Sequence, residues 1–245
     1  MTFCLGIKIA QGLVALADTR VVKGSERLSK GKVTLLDHDG KAFFIMTSGL
    51  RSVRDKAVIY LTEHLAELAT PYDRFYEVAN AFGEQLRQVL AEDGPSLAAS
   101  NLPFNLHAII GGQLANDASP EMFYIYPEGN WIEASADSPY FSIGRTAYGK
   151  PILDRFLTGD TALRTAVSLA YLAFDATRTS VTDVDYPFDI LILENGSTQF
   201  KQQRFDARHL HDAQEWWQQR LRSALQDMPN EWADILFENK PSLTQ

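Results

Sequence analysis

Along the first fifty positions, apolar residues alternate with small or polar ones. Phe3, Leu5, Ile7 and Ile9 interleave with Thr2, Cys4, Gly6 and Lys8, the period of a strand with one face in a core. Gln11-Gly12 marks a turn, and residues 13–17 return as a second strand that ends at Asp18. The resulting hairpin brings Asp18 back beside the start of the chain. Strands are also expected over 32–36 and 42–47, with the turn residues Asp37-His38-Asp39-Gly40 between them.

After Ser48-Gly49 the period changes. Val53, Ala57, Val58, Leu61, Leu65 and Leu68 recur at helical spacing up to Pro71, and Phe75, Val78, Ala79, Phe82, Leu86, Val89 and Leu90 form a cleaner amphipathic stripe. Gly94-Pro95 through Pro103 reads as a loop. A second strand block is expected at 105–110, 122–126, 131–134 and 140–143. Two helices follow, one near 150–156 and one from an Asp160 cap to about Thr177, with Leu163, Ala166, Val167, Ala170 and Phe174 on its buried stripe. Strands at 188–193 and 199–204 precede a C-terminal helix carrying Trp216, Trp217, Leu221 and Leu225. This order lacks the strict βαβ alternation of a doubly wound sheet. It predicts an α+β fold, a four-layer αββα sandwich of two antiparallel sheets. No internal repeat or low-complexity tract interrupts it.

Composition narrows the function classes. A chain of 245 residues, 45% hydrophobic and 22% charged, suits one domain spanning 1–245, with a helical extension from about position 208. The net charge of −8 gives no global basic footprint, so neither nucleic acid nor an anionic membrane is an expected partner. No apolar run approaches the roughly 20 residues that span a bilayer. The N-terminus lacks the basic region, apolar stretch and cleavage site of a signal peptide, which predicts a cytoplasmic protein. One cysteine makes no intrachain disulfide and no multi-thiolate zinc site. His209-Leu210-His211 reads as an incidental pair and Asp183-Val184-Asp185 as a solvated turn, so no metal and no cofactor is expected. Walker, G-x-G-x-x-G, H-E-x-x-H and G-x-S-x-G motifs are absent. Cys4 reads as a small buried strand residue rather than a nucleophile.

The start of the chain carries the chemistry. Methionine removal before a small residue leaves Thr2 as an N-terminal threonine. Its α-amino group titrates near roughly 7.7–8.0 and can take the proton of its own hydroxyl at neutral pH. Such a nucleophile needs a nearby carboxylate and a cation. Asp18, at the hairpin end, and Lys32, at the next strand, are suitable.

Thr2-x-x-x-Gly6, Ala17-Asp18-Thr19-Arg20, Gly31-Lys32-Val33 and Ser48-Gly49-Leu50 together resemble proteasome-type β subunits, which are N-terminal-nucleophile (Ntn) hydrolases. The Met-Thr-aromatic-Cys start, Ile110-Gly111-Gly112-Gln113, Ile143-Gly144, Tyr148-Gly149-Lys150-Pro151-Ile152-Leu153-Asp154-Arg155 and Phe174-Asp175-Ala176-Thr177 are similar to the bacterial Anbu ("ancestral β subunit") group. The resemblance runs from Thr2 to about Leu193. It implies a threonine-type endopeptidase that acts through an acyl-enzyme on Thr2. Lys32 lowers the effective pKa of the hydroxyl, Asp18 holds Lys32, the Gly49 N–H stabilises the oxyanion and Asp175 orients the Thr2 amine. Thr19 and Arg20 line or brace the cleft. The implied partners are a peptide or unfolded-protein substrate and further copies of the chain, in a ring or helical homo-oligomer. Trp216, Trp217, Trp232 and Phe237 serve either contacts between subunits or docking onto the chain's own core.

Three positions depart from the family pattern. The Asp18-to-Lys32 interval is short, which makes Lys30 a rival for the lysine role. Arg145 stands where a small serine is expected, and Arg178 stands where a serine should follow Asp175. Two other readings therefore stay open: an Ntn amidohydrolase or transferase on a small amide, and a catalytically weak ring-forming scaffold.

Overall fold

A computed structural model describes residues 2–23, 26–29 and 31–237. The chain begins with β1 (Phe3–Ile9), β2 (Gly12–Asp18), the short β3 (Arg20–Lys23) and β4 (Glu26–Ser29), then β5 (Val33–His38) and β6 (Lys41–Ser48). Helices α1 (Arg51–Glu67) and α2 (Phe75–Ala99) follow, then β7 (His107–Gly112), β8 (Glu121–Ile125), β9 (Trp131–Glu133) and β10 (Tyr140–Gly144). After α3 (Lys150–Phe156) and α4 (Leu163–Ser180) come β11 (Phe188–Glu194), β12 (Lys201–Phe205) and α5 (His211–Gln226). The chain divides into two compact units, one through Phe205 and one from Asp206. The second holds α5 and the short turns up to Phe237.

The first unit contains two five-stranded antiparallel sheets, ordered β10-β1-β2-β11-β12 and β5-β6-β7-β8-β9. Helices α1 and α2 cover one sheet, burying Phe43, Ile45, Phe75, Phe82, Ile110 and Phe123 in a common core. Between the sheets lie Cys4, Leu13, Ala15, Phe44, Met46, Ile109 and Met122. Helix α4 covers the other sheet, with Phe174 packed on Phe3 and Phe188 at ring separations of 6.3 and 4.8 Å. This is the αββα sandwich expected from the element order.

The alternation in β1 does not come from one solvent-facing side. Both faces of β1 are buried, because its sheet is an inner layer. A Cβ at Gly6 would come within 2.6 Å of Met122 Sδ in the facing sheet, so smallness rather than polarity sets that position. Helix α2 continues through Gly94 and Pro95 to Ala99, where a loop was expected. Its last turns are largely exposed, so water can satisfy the carbonyl that Pro95 leaves without a donor. Helix α4 starts at Leu163 rather than Asp160, and its first N–H donates to Gln11 Oε1 (2.7 Å) instead of to an aspartate cap. The β3–β4 pair leaves no periodic signal in the sequence, since strands of four residues show too few apolar positions to mark a period.

Candidate functional site

Cys4 pairs with Ala17 across the first hairpin, which sets Phe3 level with Asp18. The Phe3 N–H donates to Asp18 Oδ1 at 2.8 Å. Asp18 ends β2 with no exposed surface, and Lys32, just ahead of β5, reaches both of its oxygens, at 2.7 and 2.8 Å. The Arg20 N–H adds a fourth contact at 3.2 Å. Burial pushes the Asp18 carboxyl above its ordinary value, while the Lys32 charge and these hydrogen bonds pull it back. The ammonium is thus held in place by a carboxylate that the sheet itself anchors.

Thr2 lies one residue before that anchor and is half-buried. Its carbonyl accepts the Arg145 N–H at 2.8 Å. Gly144 makes this approach possible: its φ is +88°, and a Cβ there would sit 1.9 Å from the Thr2 oxygen. The end of β10 therefore clasps the backbone of Thr2.

The two remaining expected residues lie on other elements. Gly49 follows β6 with φ +131°, and a Cβ there would lie 2.2 Å from the Asn105 carbonyl, so only glycine fits. Asp175 is on α4, next to the Phe174 that packs on Phe3, and is 2% exposed. Arg178 engages its Oδ1 through Nε (2.9 Å) and Nη2 (2.7 Å). Among the described residues, the hydrogen bonds that tie Phe3, Asp18 and Lys32 together do not include Gly49 or Asp175. Met1 and Lys30, on which the amine and the rival lysine turn, lie outside the described residues.

The model of the proteasome subunit family matches residues 2–192. The chain belongs to the proteasome subunit family. Within it the chain is of the Anbu type. It is 32% identical to a solved Anbu mutant from Hyphomicrobium sp. strain MC1, over 94% of this chain and 99% of that one, with a TM-score of 0.85. Anbu from Yersinia bercovieri is 29% identical over 93% and 98% of the two chains, with a TM-score of 0.82. A structure described as the helical assembly of the Anbu complex from Pseudomonas aeruginosa is 26% identical over 99% and 100%, with a TM-score of 0.84. No curated protein matches the chain.

In this proteasome-type subunit, a network of which only Thr19 and Arg20 were expected braces the segment between α4 and β11. The segment 181–187 joins α4 to β11, and arginines from three parts of the chain hold it. Arg145 pairs with Asp183 at 3.1 Å. Arg20 reaches Asp185 at 3.1 Å and donates to the Thr182 carbonyl at 2.9 Å. Arg178 lies 4.8 Å above the Tyr186 ring. Thr19, fully buried, donates through Oγ1 to the Pro187 carbonyl at 2.7 Å. Asp183-Val184-Asp185 is thus an ion-paired brace and not the solvated turn expected. The resemblance had already implied a lining or bracing role for Thr19 and Arg20, and the three-residue spacing of Asp175 and Arg178 suits a helical ion pair.

A second pair lies beside Gly31. Asp189, 2% exposed on β11, takes Arg204 from β12 at 2.7 Å. A Cβ at Gly31 would come within 3.5 Å of Arg204 Nη2 and 3.6 Å of Asp189 Oδ2. The backbone just before Lys32 therefore passes beside a second carboxylate–guanidinium pair. Cys4 is fully buried, and burial pushes its thiol far above the ordinary range, as suits a packing residue. Among the described residues, no group of three or more His, Cys, Asp or Glu side chains is placed to hold a metal ion. No described helix is long and apolar enough to cross a membrane.

Proposed function

We propose that the chain is a proteasome-like threonine peptidase subunit, hydrolysing peptide bonds through an acyl-enzyme on Thr2. The observation that carries this reading is the Asp18–Lys32 pair: a fully buried carboxylate, hydrogen-bonded to the residue after Thr2, gripping an ammonium with both oxygens. Burying such a pair costs solvation, and a scaffold gains nothing from placing it beside its N-terminus. In this scheme the Thr2 hydroxyl attacks the scissile carbonyl, and the terminal amine, free once Met1 is removed, accepts the proton and later returns it to the leaving amine. Lys32 lowers the cost of the alkoxide, the Gly49 N–H faces the developing oxyanion, and Asp175 is the residue assigned to the amine.

One observation favours a second reading, a catalytically weak ring-forming scaffold. Arg178 already occupies Asp175, which leaves the amine with less support than the scheme asks for. The two readings are separated by intact mass spectrometry of the chain from its native host after treatment with a peptide epoxyketone. A chain without Met1 that gains one probe, with no gain in Thr2→Ala, supports the peptidase. A chain that retains Met1 sinks the free-amine mechanism.

We further take residues 1–245 as one Ntn-type domain with a helical extension from about position 208, acting in the cytoplasm as a ring or helical homo-oligomer on peptide or unfolded-protein substrates. The helical assembly reported for the Pseudomonas aeruginosa relative supports self-association. So do the exposed apolar side chains Trp216, Leu225, Trp232 and Phe237.

A further inference from the structure

The sheet that begins just after Thr2 has two edges of different character. β12 presents Lys201, Gln202, Gln203 and Arg204, the charged and polar residues that discourage a further strand. β10, at the other edge, reads Tyr140-Phe141-Ser142-Ile143-Gly144 and carries no charge. It lines a cleft of about 630 Å³, together with α3 and with Tyr124 and Tyr126 at the end of β8.

The backbone of β10 faces this cleft in a defined way. The Lys8 N–H donates to the Pro139 carbonyl (2.7 Å), and the Arg145 N–H to that of Thr2 (2.8 Å). Odd-numbered residues of β10 therefore bond to β1. In an antiparallel ladder the alternate residues, Tyr140 and Ser142, turn their N–H and C=O groups to the open edge. The Ser142 hydroxyl, in the cleft lining, is buried without a hydrogen-bond partner among the described residues.

The charge of the cleft is also unbalanced. Lys150 is committed to Asp154 (3.1 Å) and to the Tyr140 hydroxyl (3.0 Å). Asp137 lines the same cleft and has no ion-pair partner among the described residues. The Tyr124 and Tyr126 rings, 4.9 Å apart, supply aromatic faces to a cation.

We propose that this cleft docks an extended peptide segment that pairs as a strand with β10 and sets an arginine or lysine side chain between Asp137 and the tyrosine rings. Strand addition takes its affinity from main-chain bonds and its selectivity from pockets for alternate side chains, and both are present. A volume of this size suits one long side chain with its flanking backbone. The proposal stands apart from the peptidase reading, and its test uses Thr2→Ala so that cleavage plays no part.

The probe is a fluorescein-labelled, end-blocked hexapeptide alternating valine and arginine, followed by fluorescence anisotropy on the full Thr2→Ala chain. Saturable binding is expected, with a version alternating valine and glutamate at least roughly tenfold weaker. Two N-methylated versions, bearing methyl groups on alternate sets of amides, must differ: one set abolishes binding and the other leaves it unchanged, because one edge of the peptide pairs with β10. Ser142→Pro removes an outward N–H without touching the bonds to β1 and should weaken binding by about tenfold. Asp137→Asn should weaken only the arginine peptide, by several-fold. Equal binding of the glutamate peptide, indifference to both N-methylated sets, or no binding at about millimolar concentration overturns the proposal. Should Ser142→Pro fail to fold, the N-methylated peptides test the same bonds on the unaltered strand.

Discussion

Lys32 Nζ stands 2.7 and 2.8 Å from the two oxygens of Asp18, a carboxylate with no exposed surface. Lys32 itself keeps only 11% of its side chain exposed, so solvent does little to screen the pair. Removing one partner leaves the other charge buried and uncompensated. We expect Lys32→Met to destabilise the chain by about 3 kcal/mol in urea unfolding at neutral pH. Lys32→Met with Asp18→Asn should recover a substantial part of that loss, since the stranded charge is gone. Additive losses in the double variant would show that the two side chains do not act as a pair.

Gly144 and Gly40 test whether the end of β10 clasps Thr2. Both have positive φ, +88° and +73°. A Cβ at Gly40 meets nothing within 4 Å, whereas one at Gly144 would lie 1.9 Å from the Thr2 carbonyl. Gly40→Ala should cost about 1 kcal/mol, the strain of the left-handed region alone. Gly144→Ala adds a backbone collision and should cost roughly 3 kcal/mol or more. Thermal unfolding of the two variants measures the difference, and equal costs would remove the clasp from the account.

The hairpin and its Asp18 terminus were legible because a strand pair returns the chain to its start, whatever surrounds it. The layer order was legible from the switch between periods of two and 3.6 residues. Lys32 was legible as a residue type, and the structure supplied its geometry. The brace around 181–187 was legible only in Thr19 and Arg20, because its partners come together only in the folded chain: Arg145 and Asp183 are 38 positions apart, Arg20 and the Thr182 carbonyl 162. Charged residues in loops look solvated until the partner element is placed. The same limit hid the extension of α2 past Pro95, since its tolerance there depends on exposure rather than on local propensity.

Arg178 offers a way to separate brace from chemistry. It binds Asp175 through two nitrogens and covers the Tyr186 ring. Arg178→Ser frees Asp175 to act on the proposed N-terminal amine while leaving a carboxylate without its partner in a buried place. On the proposed mechanism, epoxyketone labelling at Thr2 should accelerate several-fold, and urea unfolding should show a loss of about 1–3 kcal/mol. Faster labelling with lower stability marks Arg178 as the group that restrains the site. Lower stability with unchanged labelling confines it to holding the loop.

Glu121, at the start of β8, gives the fold a pH dependence of its own. Burial raises its carboxyl to about 7 from an ordinary 4.5, with further upward contributions from Asp117 and Glu133 that outweigh Lys8 and Arg74. Between those two values the folded chain holds a proton that the unfolded chain releases. This contribution to stability is therefore fully present below pH about 4.5 and is lost as the pH rises through about 7. Glu121→Gln keeps the shape and removes the titration. We expect the variant to match the parent near pH 5 and to exceed it near pH 8 by about 1 kcal/mol, a figure reduced for the water that still reaches this half-buried group. Thermal unfolding at the two pH values reads the gap directly. A gap that stays constant with pH would mean that Glu121 is ionised throughout and that the Lys8–Glu133 pair (2.8 Å) balances the local charge.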